Sequence, residues 1–322
     1  METQANKMQF LVSSSPHVRS KATTARIMLD VVIALLPALI ASVVIFGIRA
    51  LFVTITAVVF AVLAEFVTEK ILKRPVTVSD FSAVVTGILL AFNLPASMPL
   101  WMVAIAAIFS IVIVKQLFGG IGSNFMNPAL AGRAFLLASW PKQMAYTTAP
   151  FESAKAFTVD AVAVATPLSG GRVPELWDLF IGARPGMLGE VSAICLLIGA
   201  IYLLIRGVIH LRIPAGMIIS FAVFMAIFGQ ITGEISFGDI PAQILSGGMI
   251  LGACFMATDY ATNPMTVKGQ MIFAIGCGLI TAMIRSFGGY PEGVSYAILL
   301  MNIATPLIDK LTMNKPFGGE AK

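Results

Sequence analysis

The chain has 322 residues, of which 58% are hydrophobic and 11% charged, with a mean hydropathy of +0.91. A soluble domain carries roughly a quarter charged residues, so this composition places the chain in a lipid bilayer and excludes disorder, a collagen-like chain and a secreted disulfide scaffold. The net charge of +5, from 21 Lys and Arg against 16 Asp and Glu, is the excess that membrane proteins collect in cytoplasmic loops and does not argue for nucleic acid.

Residues 1–26 form a mixed polar segment carrying Lys7, Arg19, Lys21 and Arg26. It shows no short apolar core followed by a small-residue cleavage site, so the first span is expected to be retained. Measured against the roughly 20 residues that cross the hydrocarbon layer, the apolar runs predict ten spans. The first five are 27–46, 50–66, 81–94, 100–114 and 128–140; after a polar gap come 191–205, 213–228, 244–257, 271–284 and 294–308. The third, fifth and eighth are short for a simple crossing and point to tilted, interrupted or partly re-entrant segments.

Orientation follows from the cations. Lys70, Lys73 and Arg74 follow the second span, Arg206 and Arg212 the sixth, and Lys310, Lys315 and Lys322 the last. Alternating spans put these groups and the N-terminal segment on one side, the cytoplasm, with both termini there. The stretch 141–187 then faces outward, and its Lys142, Lys155, Arg172 and Arg184 are balanced by Glu152, Asp160, Glu175 and Asp178. The chain thus divides into a cytoplasmic segment 1–26, a five-helix set 27–140, an outward loop 141–187, a second five-helix set 188–309 and a cytoplasmic tail 310–322. Five spans per half make the halves inverted relative to each other. One common spacing separates Pro95 from Pro264 and Phe118-Gly119-Gly120 from Phe287-Gly288-Gly289, as an internal repeat requires. Inverted repeats build sites near the midplane from short or interrupted helices.

Few residues carry obvious chemistry. Cys195, Cys254 and Cys277 each stand alone in apolar stretches and read as small buried hydrophobes. His17 and His210 lie beside Lys or Arg outside the spans, so neither a metal nor a haem site is expected. No GxGxxG opens a strand-helix unit, and no catalytic residue is assigned. Arg133 falls deep in the fifth span and must face protein, water or an anion: the phosphate or carbonyl of a cofactor, or the carbonyls of a broken helix. Asp259, beside Thr258 and Thr262, is open to a cofactor contact, a cation ligand or a helix cap. Asp30, Glu65 and Asp80 read as snorkelling or capping groups near span ends, and Lys115 and Arg285 as markers of the water interface. Gly252 and the Gly247-Gly248 pair read as points of close helix packing.

The outward loop holds the most informative segment, 157–170, in which Thr166 precedes Pro167. By itself this fits a partly buried loop whose threonine caps a helix begun by the proline. Asp160, Ala165, Thr166 and Pro167 also resemble a flavinylation motif in which the threonine hydroxyl is joined to FMN by a phosphoester. Ala163 and Val164 stand where that motif usually has a hydroxyl and a small residue. Three further segments, 125–135 with Asn127-Pro128 and Arg133, 255–266 with Asp259 and Asn263-Pro264, and 284–293 with Phe287-Gly288-Gly289, complete the resemblance. The chain is similar to the D subunit of the Rnf ion-translocating ferredoxin:NAD+ oxidoreductase complex, a family shared with the B subunit of the sodium-translocating NADH:quinone reductase.

That resemblance implies an all-α polytopic protein of the bacterial plasma membrane, with ten helices in two inverted five-helix repeats like those of urea transporters. It implies a subunit of an ion-translocating oxidoreductase, carrying electrons on FMN linked to Thr166 at the outer face while Na+ or H+ is moved. Asp160 would serve the flavin transferase that attaches the FMN, and a second, noncovalent flavin such as riboflavin would lie between helices. The partners implied are the other Rnf subunits, among them a second FMN-carrying subunit and the iron-sulfur subunits, together with membrane lipid. Two alternatives stay open: a quinone-reductase B-type flavin subunit, and a flavin-free channel or secondary transporter.

Overall fold

The computed structural model describes residues 22–151, 163–164, 176–182, 184–190, 192–233, 237–288 and 292–313. They form an all-α polytopic membrane protein with one minimal strand pair. Among them five helices are long and apolar enough to cross a bilayer: α1 (Thr24–Phe46), α2 (Ile48–Ile71), α9 (Arg212–Thr232), α12 (Val267–Phe287) and α13 (Val294–Thr312). Their outer faces carry exposed aliphatic side chains such as Ile40, Val44, Leu63, Ile219 and Leu307, the surface a lipid-facing bundle needs.

The remaining apolar stretches form shorter elements. α3 (Ser82–Phe92) stops at Asn93, and the chain runs irregularly to Pro99 before α4 (Leu100–Phe109), which widens into a π-helical stretch, Ser110–Gln116. α5 (Pro128–Ser139) opens with a proline after an Asn127 N-cap, whose side chain accepts from the amides of Ala129 and Leu130. After the short α6 (Pro141–Ala145), strand β1 (Thr147–Thr148) pairs antiparallel with β2 (Ala163–Val164), and α7 (Leu176–Ile181) follows. α8 (Ala193–Ile205) begins at a Ser192 cap. Beyond α9, α10 (Ile240–Leu245) and α11 (Met249–Leu251) lead into a second π-helical stretch, Gly252–Met256, and the chain is again irregular until Thr266 caps α12.

Packing pairs α1 with α8, α2 with α3 and α4, α9 with α12, and α5 with α13. Small residues allow these approaches. A Cβ on Gly199 would lie 2.1 Å from the Ala34 carbonyl oxygen, and one on Gly278 2.0 Å from Ser220 Oγ. Gly252 does serve close packing, since a Cβ there would meet Val294 Cγ1 at 2.4 Å. The Gly247-Gly248 pair does not belong to a packed helix. Their φ values of 65° and 67° make a left-handed turn that splits the expected eighth span between α10 and α11.

Broken helices leave carbonyls without helical partners, which lipid cannot satisfy. Arginines supply the donors. Arg49 of α2 donates to the carbonyls of Ala96 (2.8 Å), Ser97 (3.2 Å) and Met98 (3.4 Å) beyond α3. Arg285 of α12 donates to Gln243 (2.5 Å), Ser246 (3.0 Å), Gly247 (3.2 Å) and Glu292 (3.0 Å). Arg285 sutures the α10–α11 turn to the start of α13. Trp101 and Trp140 meet edge to face at 5.5 Å near the end of the bundle where β1 lies, an aromatic anchor of the kind found at bilayer interfaces.

Candidate functional site: a cavity between two interrupted helices

The two irregular stretches, after α3 and after α11, approach each other inside the bundle. Asn93 at the end of α3 donates to the Leu89 carbonyl (2.6 Å) and reaches Met256 Sδ (3.7 Å) at the end of the second π-helical stretch. Asn127, the α5 cap, donates to the Met256 carbonyl (3.3 Å), and its amide donates to Asn302 Oδ1 of α13 (3.2 Å). Asn302 in turn donates to the Thr262 carbonyl (3.1 Å). Three buried asparagines thus tie the α3 tip, the α11 tip, α5 and α13 together. Each finds partners among carbonyls that a continuous helix would have used internally.

A cavity of about 100 Å³ lies against this junction. Its apolar walls include Met28, Leu89, Phe255 and Tyr260, and its polar lining includes Asn124, Asn127, Thr258 and Asp259. It adjoins a wider vestibule of about 510 Å³, which Ile27, Met28, Asn124, Asp259 and Tyr260 also line. Thr24 of α1 and Asp309 of α13 stand at the vestibule, so the opening is at the end of the bundle that carries both ends of the described chain. Asp259 accepts from the Ala261 amide (3.4 Å) and Thr262 hydroxyl (3.3 Å), which fixes its carboxylate at the wall. The Tyr260 hydroxyl donates to the Val208 carbonyl and holds the rim to the α8–α9 turn.

Lys115, in the first π-helical stretch, also lines the cavity, but its ammonium is already taken. It donates to Glu65 Oε1 (2.5 Å) and Ser82 Oγ (2.6 Å), and both members of the ion pair are buried, with 4% and 0% of their side chains exposed. Gln116 donates to the same Glu65 (2.9 Å) and to Glu69 (3.3 Å). Lys115 is thus no marker of the water interface and Glu65 no snorkelling group; they neutralise each other inside the protein. Asp80 is a cap, accepting from the Ser82 amide (2.8 Å) at the start of α3. Asp30 pairs with Arg206 (3.0 Å) and accepts from the Tyr202 hydroxyl (2.9 Å), and the hydrogen bond to Asp30 raises the Arg206 guanidinium above its ordinary pKa.

Of the sequence-derived site residues, Asp259 lines the cavity and Arg133 does not. The Arg133 side chain is buried in α5. It forms an ion pair with Glu292 and donates to Asn93 Oδ1 (3.2 Å) and Ser295 Oγ (2.6 Å). Thr166 and Asp160 lie outside the described residues; the nearest described backbone is β2, which ends at Val164. Sequence alone does not single out the asparagines or Glu292. Asn127-Pro128, a cap followed by an N1 proline in an apolar run, is the one local signal that exposes a helix starting inside the membrane.

The match to known proteins covers nearly the whole chain. The model of the NQR2, RnfD, RnfE family matches residues 11–318. The chain is 50% identical over 321 residues to the D subunit of the Na(+)-translocating ferredoxin:NAD(+) oxidoreductase complex of Acetobacterium woodii, covering 97% of this chain and 96% of that protein. It is 45% identical to the D subunit of the proton-translocating ferredoxin:NAD(+) oxidoreductase complex of Clostridium ljungdahlii, covering 98% of both chains. It is 34% identical to the D subunit of the ion-translocating oxidoreductase complex of Actinobacillus succinogenes, covering 96% of this chain and 98% of that protein. Similarity of this extent, end to end on both sides, makes the chain a member of the NQR2, RnfD, RnfE family.

Proposed function

We propose that this chain is the D-type membrane subunit of a multi-subunit oxidoreductase that couples electron transfer between ferredoxin and NAD+ to translocation of Na+ or H+. The observation that carries this is identity of 45–50% along the full length to two subunits so named. The chain's part is to hold flavin in the membrane, while the NAD+, ferredoxin and iron-sulfur sites belong to partner subunits. A second FMN-carrying subunit and a flavin transferase complete the expected set.

Thr166 is the proposed acceptor of FMN, through a phosphoester that leaves the isoalloxazine ring unmodified. Bound there, FMN supplies one- and two-electron redox chemistry. The chain's own contribution is placement. Pairing of Val164 with Thr147 holds the backbone two residues before the acceptor, and Ser97 Oγ donates to the Tyr146 carbonyl (2.5 Å) beside that strand. Asp160 is assigned to recognition by the transferase.

The vestibule of about 510 Å³, together with the cavity at Asp259 that adjoins it, is the proposed place of the second, noncovalent flavin. Its apolar walls with Phe255 and Tyr260 suit a flat ring, and Asn124 and Asn127 offer donors and acceptors to a polar ring edge. A phosphate is poorly served there, because Lys115 is spent on Glu65 and Asp259 adds a carboxylate. An uncharged side chain, as in riboflavin, fits better than FMN.

The two-repeat architecture is part of the same reading. α1 to α5 would correspond to α8, α9, α11, α12 and α13. The α2–α4 and α9–α12 packings and the interruptions after α3 and α11 support it. With positive-inside orientation, both termini and the vestibule face the cytoplasm of a bacterial cell, and β1 with the flavin segment faces outward.

The deciding experiment is the intact mass of the protein purified with its partner subunits from a host containing the transferase, beside a Thr166→Ala variant. A mass gain of one FMN less water that vanishes in the variant is expected. An unmodified mass would favour the flavin-free transporter, and flavin oxidised directly by quinone would favour the quinone-reductase B type. For the second flavin, Ala261→Phe, which fills the cavity mouth, is expected to remove acid-extractable flavin while leaving the covalent mass unchanged.

A further inference from the structure

The bundle contains a row of hydrogen-bonding groups that continues past the cavity. From Asp259 and Thr262 it passes through Asn302 and Asn127 to Met256, whose carbonyl Asn127 and whose sulfur Asn93 reach, and from Asn93 to Arg133, Ser295 and Glu292. Arg133 lies six residues beyond the Asn127 cap, about 9 Å further along α5. The row therefore leads from the vestibule toward the end of the bundle where the α10–α11 turn and Arg184 lie. Unplugged, it would offer a cation a series of carbonyl, amide and carboxylate oxygens.

We propose that Arg133 is a tethered cation that closes this row to permeating Na+ and H+. The guanidinium takes the acceptors a cation would need: Asn93 Oδ1, Ser295 Oγ and the Glu292 carboxylate. Its side chain is 7% exposed and that of Glu292 15%, so the pair is desolvated and a fixed positive charge there acts strongly. Behind it stand two more cations, Arg184, donating to the Glu190 and Leu245 carbonyls (2.6 and 2.8 Å), and Arg285 of α12, donating to the α10–α11 turn. Against three arginines the same region sets two carboxylates, Glu190 and Glu292, so it stays net positive. The proposal requires only that the bundle spans the membrane and does not depend on either flavin. It implies that coupled ions cross elsewhere in the complex, and that this subunit's task includes not leaking them.

The test is passive Na+ and H+ flux into liposomes containing the complex as purified with its partners, without electron donor or acceptor. Arg133→Gln, which frees the three acceptors, is expected to raise flux by about tenfold over wild type. Arg133→Lys, which keeps the charge, and Glu292→Gln, which keeps the guanidinium, are expected to stay at the wild-type rate. Asn93→Asp, which adds a third carboxylate against the three arginines without removing packing, is expected to leak and serves as the readout should Arg133→Gln not assemble. Wild-type tightness in an assembled Arg133→Gln or Asn93→Asp complex would overturn the proposal. Equal leakage through Glu292→Gln would also overturn it, by showing that packing, not charge, seals the row.

Discussion

The Glu65 and Lys115 pair shows how a single charge is tolerated inside this protein. Neither side chain reaches water, so each depends on the other, and Ser82 and Gln116 satisfy part of what remains. Removing one partner strands the second. Lys115→Met alone is expected to destabilise the protein by about 3–5 kcal/mol, while Lys115→Met combined with Glu65→Leu recovers most of that loss. Thermal unfolding in detergent checks both, and additive losses would show that the two side chains do not act as a pair. Sequence displays these charges but not their pairing, because they lie 50 positions apart and meet only through packing of α2 on the end of α4. Asp80 is legible as a cap because its partner, Ser82, is two residues away. The same contrast separates Asp259, whose neighbours in sequence are its neighbours in space, from Arg133, whose partners come from α3 and the start of α13.

At the scale of elements, the bundle rests on glycines that let backbones touch. Gly199 meets the Ala34 carbonyl where α8 crosses α1, and Gly278 meets Ser220 Oγ and the Phe221 amide where α12 crosses α9. Neither contact has room for a side chain. Gly199→Leu and Gly278→Leu are each expected to cost at least the 1–3 kcal/mol of ordinary overpacking, because the obstructing atoms include backbone. Gly207, with φ +68 and nothing near an added Cβ, is expected to lose only the cost of a left-handed alanine, about 1 kcal/mol. Melting of the three purified variants would rank them, and equal losses would contradict the packing argument. Element positions are legible wherever an apolar run is long. The eighth expected span is not, since periodicity cannot reveal that two adjacent glycines adopt positive φ and turn the chain between α10 and α11.

For the molecule as a whole, hydropathy and the distribution of cations predict a polytopic helical protein, and the five long described helices agree. The interior has a different logic. The cavity, the asparagine junction and the arginine cluster are made by parts of the chain that fail to be continuous helices, and hydropathy registers them only as short spans. The π-helical stretches carry a further consequence. In Ser110–Gln116 the bonds step back five residues, as from the Leu117 amide to the Val112 carbonyl (3.0 Å), and Gly252–Met256 does the same from the Ala257 amide to the Gly252 carbonyl (2.8 Å). Such a stretch stores one residue of slack at the end of its helix. Deleting the lipid-facing Ile113 would let this stretch relax to α-helix with Phe109 and Leu117 still in place, whereas deleting Leu89 from the unbulged α3 would swing everything beyond it by about 100°. Chain length, usually the least forgiving property of a buried helix, is here negotiable at two addresses, and both lie on the wall of the same cavity.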